Sequence, residues 1–354
     1  SGGNLRLQTP LLTGQAGSAM RYAAGGAIDV SAPGGAAAVD TASIGELGAS
    51  LTLQGRSVSL DTRVALPSGV LKLMADGDIV LGDGAQLDLS GRDATFYDIT
   101  RHSWGGSVTL ASTSGSVAQS AGSRIDVSAA HENAGSLAVR AEAGRVTLAG
   151  ALRAAGGGAG FSDGRFELAV RQIGDADFAA LNQQLNGAGF FGARGFVVKQ
   201  GDLAVGAGVR AHQVSIATDA GSLTVDGAID ASGIGPGRID LSAGGDLRLT
   251  GRAVLDAHAT ALITDSYGVP VEGSNRARVS LASVGGMVRL DTGATMDLSS
   301  PDGIARGRLD ISAPRLGSTR GSATGPDAPA NATGGDVAIS AAGGLRIKGA
   351  QLVE

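Results

Sequence analysis

Aliphatic and polar positions alternate along this chain in short bursts, aliphatic-x-aliphatic, and glycine interrupts them every few residues. Alternation with period two puts the aliphatics on one face of an extended strand. Where the bursts are cleanest they begin eight or nine residues apart, at Val108, Val117 and Ile125, and again at Leu137 and Val146. Strands this short, separated by glycine turns, predict an all-β chain. The glycines supply the positive-φ corners that a coiling backbone turns through.

Two phrases recur within that rhythm. The first is aliphatic-Asp-aliphatic-Ser, present seven times. It begins at Ile28, Leu87, Ile125, Ile229, Ile239, Met296 and Leu309. The second is one or two glycines, a variable residue, then aliphatic-x-aliphatic, as in Gly105-Gly106-Ser107-Val108-Thr109-Leu110 and Gly244-Gly245-Asp246-Leu247-Arg248-Leu249. A single strand of this length cannot bury its apolar face, but many copies stacked on one another can. A β-sandwich also has short strands at regular spacing. Two features favour a parallel β-helix, or solenoid. Identical residue types recur at the same place in each phrase, as stacking requires. Aromatic residues make up only 3% of the chain, which suits a narrow interior lined by ladders of Val, Ile, Leu and Ala.

The repeat overrides the multidomain expectation for 354 residues, because the length of a solenoid follows from coil number rather than core volume. Coils of roughly 20 to 25 residues fall in the range of such repeats and predict a rod. A β-helix section is expected over 1–170 with an insertion at 93–104, then a helical insertion at 171–195. A second β-helix section follows over 196–354, with insertions at 265–278 and 314–333.

The first interruption, 93–104, gathers Phe96, Tyr97, His102 and Trp104 in an aromatic-poor chain. The expectation is a loop that folds back and packs its aromatics on the coil exterior. The competing reading makes Tyr97, Arg101, His102 and Trp104, with Tyr267 from the third interruption, a contact surface of the kind that dominates binding hot spots. In the second interruption Asp175 is positioned to cap a short helix. Phe178, Leu181 and Leu185 share one face of it, and Asn186-Gly187 is placed to end it. That apolar stripe is expected to dock on the solenoid. The stretch 314–333 is rich in Pro, Gly, Ser, Thr and Ala and reads as a mobile loop.

Charge narrows the function classes. The net charge is −5 with no basic run, so nucleic-acid binding has no electrostatic footprint. No segment reaches the length of a membrane-spanning helix, and no membrane insertion is expected. Cysteine is absent, which argues against a disulfide scaffold and is compatible with export of an unfolded chain. No signal peptide precedes the first strand, and chain ends falling on repeat phrases point to a segment of something longer.

Catalytic chemistry on a β-helix would need clustered carboxylates with a general acid or base. The repeated Asp positions, Asp88, Asp126 and Asp240 among them, alternate away from the aliphatic face and are expected to form a solvated column. His102, His131, His212 and His258 show no metal-ligand spacing and read as surface residues. No Gly-x-Ser-x-Gly elbow, calcium repeat or phosphate loop is present. No catalytic, cofactor-binding or metal-ligating residue is assigned, and no enzyme activity is expected.

The two phrases together resemble filamentous-haemagglutinin-type exoproteins, the large secreted partners of bacterial two-partner secretion. The resemblance covers nearly the whole chain outside the insertions. Segment 178–190, Phe-Ala-Ala-Leu-Asn-Gln-Gln-Leu-Asn-Gly-Ala-Gly-Phe, is similar to an interruption found in some very long members. The resemblance implies a right-handed parallel β-helix, export through an outer-membrane barrel transporter, and a cell-surface or released adhesin. It supplies no binding residue and no identity for a host or bacterial receptor. The chain departs from the family in lacking an Asn-Pro-Asn-Gly secretion motif. It therefore reads as shaft, with the transporter meeting a domain outside this segment. The same rod could instead be the stalk of a contact-dependent growth-inhibition toxin, and a carbohydrate-active β-helix enzyme is the third reading.

Overall fold

The computed structural model describes residues 2–37, 39–314, 339–341 and 346–350. The chain forms two compact units, Ser1–Lys199 and Gln200–Glu354. Each is built as a parallel β-helix of short strands.

In the first unit three sheets form three faces. One face is a ladder of long strands: Ala19–Ala23, Ser50–Gly55, Val70–Ala75, Ser107–Ser112, Ser136–Ala141, Arg165–Val170 and Ala193–Val198. The second carries strands such as Ser57–Asp61, Ile79–Leu81, Val117–Gln119 and Val146–Leu148. The third carries Leu11–Thr13, Arg63–Ala65, Gln86–Asp88, Arg124–Asp126 and Ala151–Arg153. The chain visits long, second and third face in turn, and neighbouring rungs pair in parallel.

Register explains why the same residue types recur. Leu51, Leu71, Val108, Leu137 and Phe166 are successive partners on the long face, as are Leu53, Leu73, Leu110, Val139 and Leu168. All ten are buried. A slip of one residue would turn each of these side chains to solvent, so the aliphatic alternation pins the stack. In the second unit Ile239, Val279 and Leu309 form one such ladder and Leu241, Leu281 and Ile311 the next.

Coil length varies more than the phrases imply. Ser50 and Val70 open long strands 20 residues apart, whereas Ser107, Ser136 and Arg165 open theirs 29 apart. Much of the extra length lies at one corner, between the third face and the next long strand. In the first unit that corner spans 89–106, 127–135 and 154–164; the same corner of the second unit spans 257–277 and 298–307. Two further long connections lie elsewhere. The chain passes from Ser31 on the second face to Ser50 on the long face with no third-face strand among the described residues between, and from Ser312 on the long face to Ile339 in the second unit. The remaining corners between described strands take at most four residues, the helical segment aside.

Two expectations are corrected here. The Asp positions are not a freely solvated column. Asp88 and Asp126 are cross-strand partners, and Asp230, Asp256 and Asp297 occupy three consecutive rungs. Most are partly buried, and Asp126 is only 6% exposed. Asp88, Asp126, Asp230 and Asp297 each bend the chain at a strand end, whereas Asp29, Asp240 and Asp310 lie within strands. Asp126 Oδ1 accepts from the Ser128 amide (3.1 Å) and hydroxyl (2.5 Å), and Asp88, Asp230 and Asp297 repeat that pair with Ser90, Ser232 and Ser299. This is the local side-chain turn that Asp favours, and it is why Ser follows two residues later. Like charges stacked at rung spacing repel. Cations flank the triple stack, Arg210 at 3.3 Å from Asp230 and Lys348 at 3.3 Å from Asp297.

The second correction concerns the helix, Asp175–Ala188. Asp175 lies in its first turn beside Asp177, where it complements the helix dipole, while Gly174 holds the cap position without a side-chain bond. The helix runs through Gly187 and stops at Gly189, whose left-handed backbone (φ 85°) ends it. Its buried face is Phe178, Asn182, Leu185 and Ala188. In the first unit it takes the place of the next second- and third-face strands. The Ala154 amide donates to the Ala188 carbonyl (2.7 Å), and Gln184 Nε2 to the Gly150 carbonyl (2.8 Å), so the edge of the stack is covered.

The core ladder ends on a charge. Phe166 pairs with Arg194, which is fully buried. Its Nε donates to the Phe190 carbonyl (2.9 Å), one terminal nitrogen to Asn182 Oδ1 (3.0 Å), and the other to Asn186 Oδ1 (2.7 Å). The guanidinium lies 5.7 Å from the Phe191 ring centroid, and Phe166, Phe178, Phe190 and Phe196 pack on one another with ring centroids 4.8–6.0 Å apart. The insertion at 314–333 lies outside the described residues apart from Pro314.

Candidate functional site

The insertion at 93–104 is a β-hairpin, not a loop. Asp93–Phe96 pairs antiparallel with Ile99–His102, with Asp93 opposite His102 and Phe96 opposite Ile99. Hydroxyls of Thr95 and Thr100 meet across it at 3.0 Å. Tyr97 and Asp98 make the two-residue turn, and Tyr97 sits in the left-handed region (φ 56°). A bulky side chain there costs about 1–2 kcal/mol relative to an ordinary conformation.

The base of the hairpin is anchored to the solenoid. The Ser103 amide donates to the Arg92 carbonyl (2.9 Å), and the Arg92 amide donates to Ser103 Oγ (2.8 Å). The Arg92 side chain reaches Asp88 (2.8 Å) and the carbonyls of Thr41 (3.1 Å) and Ile44 (3.3 Å). Ser68 Oγ donates to the Trp104 carbonyl at 2.7 Å, so the residue is tethered through its backbone while its side chain is 61% exposed.

The expectation that these aromatics pack on the coil exterior is overturned for Tyr97 and Trp104. Tyr97 is fully exposed at the tip, Trp104 is exposed at the base, and Arg101 and His102 are exposed between them. Tyr267 lies in the second unit on its own insertion, 89% exposed, with its amide and that of Val269 both donating to Asp265 Oδ1 at 2.9 Å. That insertion closes on Asn275, whose side chain exchanges hydrogen bonds with both backbone groups of Ile263 at 2.7 Å.

The hairpin also assembles a grouping that spacing along the chain did not reveal. Asp93, His102 and His131 come together, the one set of three potential metal-ligating side chains among the described residues. His102 Nδ1 lies 2.8 Å from Asp93 Oδ1, and His131 Nδ1 lies 2.8 Å from Asp93 Oδ2. The two imidazoles lie 4.7 Å apart, tilted by 46°. The His102 hydrogen bond, joined by that of His131, holds the Asp93 carboxyl below its ordinary range. An ionised carboxylate only accepts, so in these two hydrogen bonds both Nδ1 atoms carry the proton.

His131 belongs to the corner 127–135 of the next coil, and Asn133 anchors it. The Asn133 carbonyl accepts from the Gly105 amide (2.9 Å), and its side chain accepts from the Ser162 amide (2.7 Å). His212 and His258 stay apart from this group, and His258 pairs with Asp256 alone (2.6 Å).

A second cluster lines a cleft of about 390 Å³ with Asp88, Asp126, Arg92, Arg124 and Arg153. Burial raises the Asp88 pKa, but hydrogen bonds from Arg92 and Ser90 outweigh it and hold the carboxyl ionised below its ordinary value. Arg124 pairs with Asp126. These carboxylates are committed to local turns and to arginine, an arrangement suited to holding a corner together rather than to exchanging a proton. The chain matches no family model, and neither a curated protein nor a solved structure matches it.

Proposed function

We propose that this chain is a structural shaft segment of a secreted, surface-exposed bacterial adhesin, exported through the outer-membrane barrel transporter of a two-partner system. One observation carries the reading: in each unit the coils stack in parallel register, and the long excursions leave that ladder intact. Rungs that contact only their neighbours suit a chain that folds stepwise as it emerges from a pore. The absence of cysteine suits the same route, since premature cross-links would block passage. Exposed Tyr97, Arg101 and Trp104 on one anchored hairpin, and Tyr267 on another excursion, are the residue types that carry binding energy at interfaces.

In this reading the chain has no catalytic role and inserts in no membrane; no helix among the described residues is long and apolar enough to cross one. The test is localisation in the parent bacterium. Antibody raised against this chain is expected to label intact cells, and deletion of the neighbouring transporter gene is expected to abolish labelling. A cytosolic protein, or turnover of acidic polysaccharides by the purified chain, overturns the proposal. Adherence of beads coated with the chain, lowered by the double variant Tyr97→Ala/Trp104→Ala, tests the contact surface separately.

A further inference from the structure

We propose that Asp93, His102 and His131 form a binding site for a divalent first-row transition ion of the zinc class, held by a carboxylate oxygen and the two Nδ1 atoms. The inference stands on the geometry of the hairpin and its neighbouring corner, and it holds or fails independently of the adhesin reading.

Three features of the fold build the site. Antiparallel register places Asp93 directly opposite His102, and cross-strand partners project on the same face of a hairpin. The base of that hairpin is fixed through Arg92 and Ser103, and the corner carrying His131 is fixed through Asn133. All three donor atoms already lie within 4.8 Å of one another. Tetrahedral coordination at about 2.0–2.1 Å places ligand atoms roughly 3.3 Å apart. His102 Nδ1 meets Oδ1 and His131 Nδ1 meets Oδ2, each at 2.8 Å, so bringing both nitrogens and one carboxylate oxygen onto a single ion requires these contacts to open and the carboxylate to turn, within the reach of side-chain rotation.

Ligand chemistry selects the ion. Two imidazoles and one carboxylate suit zinc, copper, nickel or cobalt, whereas calcium and magnesium require oxygen shells. On binding, each neutral imidazole moves its Nδ1 proton to Nε2, and the freed Nδ1 lone pair enters the coordination shell. The net charge of the imidazoles does not change, and no oxidant or reductant is involved. With three protein ligands on an exposed surface, the fourth position stays open to water or to a side chain of a binding partner. Such a site would couple the hairpin that carries Tyr97 to the corner of the next coil.

The experiment is titration of the full chain with zinc against a chromophoric chelator, paired with the visible absorption of the cobalt(II) form. One ion per chain is expected, with tetrahedral cobalt bands, no competition from magnesium, and slower amide exchange over 93–102 on zinc addition. His131→Ala, His102→Ala and Asp93→Asn are each expected to weaken binding by at least about tenfold, the scale on which even supporting residues act. His258→Gln, at the lone His–Asp pair, is expected to leave it unchanged. Hairpin amide protection in metal-free His131→Ala, equal to the parent's, establishes that lost binding reflects a lost ligand. Zinc binding unaffected by His131→Ala, or a parent chain that binds no more zinc than the Asp93→Asn/His102→Ala/His131→Ala variant, overturns the proposal and leaves the triad as a metal-free clamp.

Discussion

Arg194→Ala probes how the first unit ends its core. The ladder Leu51, Leu71, Val108, Leu137, Phe166 is aliphatic or aromatic until the register places Arg194 in the next rung. A cation there is tolerable because the helix presents oxygen atoms to it: Asn182 Oδ1 and the Phe190 carbonyl, with Asn186 Oδ1 nearer solvent. The last turns of a helix also carry partial negative charge, which favours a guanidinium. Truncation to Ala strands two buried acceptors at about 1–3 kcal/mol each, and it empties the space of a fully buried side chain. The expected loss is about 3–5 kcal/mol, the range for breaking a buried charged network. Arg194→Lys keeps the charge but replaces a planar fork by a point donor, and is expected to fall between the two.

The assay is hydrogen exchange resolved by segment on the full chain. Protection is expected to fall most in Asp175–Ala188 and Arg165–Val170, less in Ser107–Ser112, and least in Ser50–Gly55. That gradient follows from coupling between nearest coils. A loss below about 1 kcal/mol would show that the guanidinium and its acceptors are not a coupled cap. Equal loss in every strand of the unit would refute nearest-neighbour stacking itself.

Four further predictions concern backbone packing, acid stability and the Asp corners. A Cβ added at Gly135 would sit 1.7 Å from the Gly106 carbonyl oxygen, so Gly135→Ala is expected to cost more than about 2 kcal/mol in denaturant titration. Gly187→Ala, in an exposed helical position with open space around it, is expected to stabilise by about 0.5–1 kcal/mol. Burial against Gly233 and Gly235 pulls the His212 pKa below its ordinary value, so the unfolded chain binds the proton more readily. Its contribution is intact above the ordinary value and is lost as pH falls from there through the folded value; His212→Gln should flatten that part of the stability–pH curve. Asp126→Ala removes the acceptor for the Ser128 amide and hydroxyl and is expected to cost about 1–3 kcal/mol by thermal or chemical unfolding, whereas Asp126→Asn retains Oδ1 and should cost less.

The strands were legible because alternation is a local signal, and Val108, Val117, Ile125, Leu137 and Val146 all fall in strands as their spacing predicts. Which face each strand joins was not legible. Alternation looks the same on all three, so the phrases at Asp88, Asp126, Asp230 and Asp297 could not be separated from those at Asp240 and Asp310 on the long faces. The bonding role of Asp had a signal, the Ser two residues on, but it was overshadowed by the expectation that a polar residue opposite two aliphatics faces water. The hairpin had one as well. Thr95 and Thr100, then Asp93 and His102, are symmetric about Tyr97-Asp98, the pattern of a two-residue turn. His131 carried no signal at all, because it meets Asp93 across 38 residues. A coil of 20 to 25 residues, rather than the observed 29, would have placed a different part of the chain beside the hairpin.

That last difference explains why sites arise where they do. Where a long connection leaves another corner of the first unit it displaces short strands: the chain returns from Ser31 straight to the long strand at Ser50, and the helix Asp175–Ala188 stands where two short strands would lie. Between the third face and the long strand, the backbone can leave and return without disturbing register, because the long strand re-pairs over five or six residues and locks the stack again. Excursions from successive coils therefore emerge above one another, one rung apart, and side chains distant in sequence become neighbours. Asp93 and His102 on one excursion meet His131 on the next by this route. In a solenoid of uniform coils no such meeting would occur. The same latitude lets excursions change in length and chemistry while the aliphatic ladder keeps the fold, so a contact surface at this corner can diverge at little cost to stability. Exchanging 93–102 for a short Gly-containing turn is accordingly expected to leave the exchange protection of Ser107–Ser112 and Ser136–Ala141 intact while abolishing any zinc binding, and loss of protection in those strands would show that the hairpin is part of the core after all.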